Sequence, residues 1–136
     1  MLSYLDRRPD ELDLQERVTI GALRLWAAEM QRRRCPLGLL RELFSSANVR
    51  GALWPAHNFF YWALSHSERT VELGCRCCAR VSDDEAALLS AIFAENSAQA
   101  HAALASFMLK DAITSGARLG LALGAELRAA SIKAAP

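Results

Sequence analysis

Between Arg50 and Glu68 the chain carries no formal charge for 17 residues, and five of those residues are Trp, Phe or Tyr. A segment of this kind has two stable destinations, a bilayer or the inside of a protein. Seventeen residues lie at the lower edge of a spanning length, and Pro55, His57, Asn58, Ser65 and His66 interrupt the apolar run. A buried helix from about Ala52 to Ser65 is therefore expected, with Pro55 tolerated in its first turn. Leu53, Ala56, Phe60, Ala63 and Leu64 share one face, while Trp54, Tyr61 and Trp62 spread around the other. This helix is expected to be the centre on which the others pack, with Phe60 and Leu64 in the core.

The rest of the chain reads as helix too. Val18, Ala22, Leu25, Trp26 and Met30 recur at helical spacing between Leu12 or Asp13 and about Arg33. Arg32, Arg33 and Arg34 close that helix as a solvated end. Leu40, Leu43, Phe44 and Ala47 mark a short helix from Pro36 to Ala47. A longer stripe runs from Asp83 to about Phe107, with Asn96-Ser97 a candidate break, and His101 is placed at its edge as a packing residue. A last helix from Asp111 to Ser131 carries Gly116, Gly120 and Gly124 along one face. Three helical glycines each cost about 1 kcal/mol relative to alanine. Close packing inside the chain is the first compensation to expect, a dimer contact the second. Arg69 to Leu73 alternates like a strand but has no partner strand, and is read as loop. The fold expected is all-α, a single-domain bundle of about five helices with a cysteine-bearing loop between the third and fourth. Residues 1–11 form a lead-in, 12–131 the bundle and 132–136 a tail.

At 136 residues, 52% hydrophobic and 23% charged, the chain is one globular domain and not a disordered one. A net charge of +1 leaves no basic excess for nucleic acid. Fourteen arginines against two lysines fit a GC-rich bacterial genome. Charges throughout the first sixteen residues argue against a leader peptide, so a reducing cytoplasm is the expected compartment. No phosphate-binding glycine loop, His-Glu-x-x-His or nucleophile elbow occurs, and the acids are read as spread over solvated faces without forming a pair.

Chemistry concentrates in one place. Cys75, Cys77 and Cys78 lie within four residues, flanked by Arg76 and Arg80, just before Ser82 and Glu85. Ser-x-x-Glu is the spacing of a capping box, which starts a helix at Asp83. Thiolates suit zinc, copper(I) or iron–sulfur centres, but a tetrahedral site needs a fourth ligand. His66 is the preferred candidate, Cys35 or His57 the alternatives, and His101 a more distant one. Three crowded thiols do not readily converge on one ion, so cysteines without ligand are the first reading. His57, one turn before Tyr61, is read as hydrogen-bonded within the core, with a small aromatic-walled pocket the alternative. Two functions stay open. One is a non-enzymatic interaction or adaptor domain that binds a protein partner or forms a homo-oligomer, away from membranes. The other is a zinc-binding or thiol redox module built on the cysteine loop.

Overall fold

The computed structural model describes residues 12–74 and 80–134, the side chains of residues 131–134 excepted. The expected lead-in over residues 1–11 and the thiols Cys75, Cys77 and Cys78 lie outside the described residues. The fold is all-α. Among the described residues six α-helices follow one another: α1 (Leu14–Gln31), α2 (Leu37–Ser46), α3 (Leu53–Ser65), α4 (Asp83–Ile92), α5 (Ser97–Leu104) and α6 (Ile113–Ala134). Short 3-10 turns, Arg50–Ala52 and Lys110–Ala112, lead into α3 and α6. No described helix is long and apolar enough to cross a membrane.

Local signals account for these limits. Asp13 and Glu16 form a reciprocal capping box at the start of α1, and Ser82 and Glu85 form the expected one at α4. Both α1 and α2 end on a non-glycine residue in the left-handed region, Arg33 (φ 58°) and Asn48 (φ 61°). The next amide in each case reaches back five residues, Arg34 N to Glu29 O at 2.8 Å and Val49 N to Phe44 O at 2.8 Å. This wraps the last turn and stops the helix. Six helices replace the five expected because the Asp83–Phe107 stripe breaks after Ile92. The Asn96 side chain accepts from Gln99 N at 2.9 Å, and Gln99 Oε1 accepts from Glu95 N at 2.9 Å, so a new N-terminus outcompetes continuation. The last helix runs on to Ala134, past the expected end at Ser131.

The centre of the bundle also differs from the expectation. Helix α6 packs on α1, α3, α4 and α5, and eight residues of α4 are buried, Asp84 and Glu85 among them. Helix α3 buries Leu53, Ala56, Phe59, Phe60 and Ala63 but leaves Trp54 and Tyr61 in solvent. The glycine face explains why α6 and not α3 takes the middle. A Cβ at Gly120 would stand 3.1 Å from Phe59 Cε1 and 3.4 Å from Ala91 O, and one at Gly124 would overlap the Ile92 carbonyl. Backbone of α6 therefore lies against backbone of α4, and the glycine face packs inside the chain, the first of the two compensations expected for it.

That geometry orders three substitutions. Gly→Ala in a helix ordinarily stabilises by about 1 kcal/mol. At Gly116 the added methyl meets only side-chain ends, the Met108 thioether at 3.0 Å and Leu104 Cδ1 at 3.2 Å, which can give way, so Gly116→Ala is expected to be close to neutral. At Gly120 a ring must give way. Gly124→Ala is expected to lose about 1–3 kcal/mol, since a carbonyl cannot move aside cheaply. Gly120→Leu should likewise cost more than Ala122→Leu, Ala122 being exposed. Thermal midpoints in the order 116, 120, 124 check the series, and equal midpoints at 116 and 124 would reject the backbone contact.

Candidate functional site

The connection from α3 to α4 is built before the cysteines are reached. Residues 66–68 run antiparallel to 107–109, with Leu109 N donating to His66 O and Glu68 N to Phe107 O, both at 2.8 Å. Two adjacent carboxylates in the first turn of α4 then take hold of both flanks of the cysteine segment. Asp84 receives Arg69 through two hydrogen bonds of 2.7 and 2.8 Å and the Glu72 amide at 2.6 Å. Glu85 receives Arg24 Nε at 2.7 Å and Nη2 at 2.9 Å, Gly74 N at 3.0 Å and Ser82 N at 2.9 Å. Arg24 Nη2 also donates to Arg80 O at 2.9 Å, and Ser82 Oγ to Glu72 O at 2.7 Å. The result is a clamp: residues 72–74 before the thiols and 80–82 after them are tied to one helix end and to each other.

Glycine at 74 is required by this arrangement. A Cβ there would stand 2.7 Å from Arg24 Nη2 and 2.9 Å from its Cζ, so the guanidinium lies directly against bare backbone. The Arg24 and Glu85 side chains are 3% and 0% exposed. A buried arginine needs a carboxylate within reach, because an unpaired charge in a dry interior is strongly disfavoured. The reading of the acids as spread over solvated faces is thus corrected at Asp84 and Glu85, which are buried. A signal was available: Arg24 lies between Leu23 and Leu25 on the buried side of an apolar helix, a position that demands an acidic partner elsewhere.

The Arg69 guanidinium, hydrogen-bonded to Asp84, holds that carboxyl below its usual range against the opposing effect of burial, and the Glu72 amide acts in the same direction. A carboxyl with a depressed folded-state pKa stabilises the fold above its unfolded value, roughly 3.9, and loses that contribution as pH falls through the folded one. The gap in urea midpoint between the parent and Asp84→Asn is therefore expected to be widest at neutral pH and to narrow below about pH 4. A gap that stays constant into acid would remove Arg69 as the cause.

The remaining candidates are scattered. His66 is half-buried and stacked on Trp62, ring centroids 3.9 Å apart. Its Nδ1 stands 2.9 Å from the Trp62 carbonyl, which can only accept, so Nδ1 carries the proton and Nε2 the lone pair. In that tautomer Nε2 is the ring nitrogen able to take a metal, with Nδ1–H held by a carbonyl. Cys35 is exposed at the corner between α1 and α2, and α2 packs on α1 and α3 but not on α4. His101 is exposed on α5, not packed as expected. Among the described residues no group of three or more His, Cys, Asp or Glu side chains is placed to hold a metal ion.

His57 combines both expectations made for it. Its Nδ1 accepts from the Trp26 indole at 3.0 Å, and its ring lines a cleft of about 340 Å³ with Asn58, Tyr61, Trp62 and Leu119. Trp54 and Tyr61 flank it along the same edge of α3, with ring centroids 6.1 and 6.2 Å from the imidazole. Compared with known proteins, the chain matches no family model, no curated relative and no solved structure.

Proposed function

We propose that the chain is a small non-enzymatic interaction domain that receives a protein partner on the exposed aromatic edge of α3. One observation carries this reading: Trp54 and Tyr61 are 55% and 52% exposed on either side of His57. Large aromatic side chains left in water lose the free energy of burial, and they are the residues that dominate binding where a partner covers them. The stretch that produces this edge is itself uncharged, in keeping with the depletion of charge at the centre of an interface. A photo-crosslinking residue in place of Tyr61 is expected to form a discrete adduct in cells of the native host, and the same residue in place of Arg41 none. Equal adducts from both positions, or none from position 61, would reject the reading.

A second reading is favoured by the clamp. Anchoring Gly74 and Ser82 on one carboxylate brings the two ends of the cysteine segment together, as a thiol centre requires. In this reading Cys75, Cys77 and Cys78 bind zinc or cycle between thiol and disulfide, and His66 completes a metal set with its free Nε2. Metal content of tag-free protein and a free-thiol count with and without chelator test it. Absence of metal together with three slow thiols would exclude both versions.

A further inference from the structure

We propose that the cleft beside Tyr61 recognises a carboxylate, and that the Nε2–H of His57 is the group that binds it. This rests on the interaction reading above and supplies the chemistry of what the α3 edge receives. It begins with the direction of one hydrogen bond. An indole nitrogen donates and never accepts, so His57 Nδ1, 3.0 Å from Trp26 Nε1, must be the acceptor. A neutral imidazole has one donor and one acceptor nitrogen, and the proton therefore resides on Nε2. Trp26 is 3% exposed and meets the edge of Phe60 at 6.0 Å, so the indole is held in place and keeps the tautomer from reversing.

The other walls of the cleft agree with that polarity. Asn58 and Tyr61 line the cleft, and neither side chain makes a hydrogen bond among the described residues. Trp62 contributes ring surface alone, its indole N–H being occupied by Ala112 O at 2.9 Å. Leu119 closes the apolar side. Among the described residues no Asp, Glu, Lys or Arg lines the space. A carboxylate on an apolar body would meet the Nε2–H donor with ring or methyl surface around it, whereas an ammonium, though drawn to the ring faces, would meet that N–H as a repelling group. Hydrogen bonds to a charged acceptor are also about twice as strong as neutral ones, which selects a carboxylate over an amide carbonyl.

The test uses the whole chain with benzoate as probe and benzylammonium as its opposite. Nitrogen-15 correlation spectra of the imidazoles are expected to show His57 as the Nε2–H tautomer before any probe is added. Titration with benzoate is expected to shift the Trp26 indole and His57 signals, benzylammonium to leave them in place, and His57→Phe to weaken benzoate binding about tenfold. His57 found as the Nδ1–H tautomer would overturn the proposal in the unaltered protein, whether or not the variant folds. So would benzylammonium binding as well as benzoate, no benzoate binding, or benzoate binding that survives His57→Phe. The crosslink from position 61 judges the interaction reading separately: its loss with benzoate binding intact removes the protein partner, and its presence without benzoate binding removes only the carboxylate.

Discussion

Glu85→Ala is expected to lower the free energy of unfolding by about 3–5 kcal/mol, the loss that follows when one partner of a buried ion pair is removed. The substitution takes the carboxylate from Arg24 and leaves the Gly74 and Ser82 amides without the acceptor they share. Arg24→Ala should be damaging for the converse reason, though the carboxylate then keeps its two amides. Replacing both residues by apolar ones of similar size separates charge from structure. Such exchanges are often neutral for a simple buried pair. Here Arg24→Met with Glu85→Leu is expected to recover only part of the loss, because the amides stay orphaned. Urea midpoints at unchanged slope give the comparison. A double variant as stable as the parent would mean that the carboxylate does no more than neutralise Arg24.

Phe60→Ala is the second large effect, expected at about 3–5 kcal/mol from lost burial and the cavity left behind. Phe60 is fully buried, with ring centroids of Trp26 and Phe59 at 6.0 and 6.2 Å. Leu64 is only half-buried, so Leu64→Ala should cost less. Both were expected in the core, and for Leu64 that expectation is corrected. Denaturation midpoints that rank Leu64→Ala at or above Phe60→Ala would reverse this placement.

What the sequence made legible follows the range of each interaction. Helix type and most boundaries depend on neighbours three or four residues away, and Ser82-x-x-Glu85 was readable because a capping box is complete within one turn. The break at Asn96 was visible as a candidate for the same reason. Packing order was not readable: a glycine face announces close approach but not to which helix, and an uncharged aromatic helix looks more buried than α3 is. The Arg24–Glu85 pair joins residues 61 apart, and no periodicity links them. Candidate ligands were legible as residue types, while the tautomers of His57 and His66 depend on the partners Trp26 and the Trp62 carbonyl, which only the folded chain places.

The clamp also fixes the length of the chain just before the cysteines. The Glu72 amide is held by Asp84 and the Gly74 amide by Glu85, two neighbouring carboxylates on one turn of α4. The spacing of two amides along the chain is thereby matched to the spacing of two side chains on a helix. A residue inserted between Glu72 and Gly74 would break that match, leave one carboxylate or one amide without its partner, and lower the unfolding midpoint.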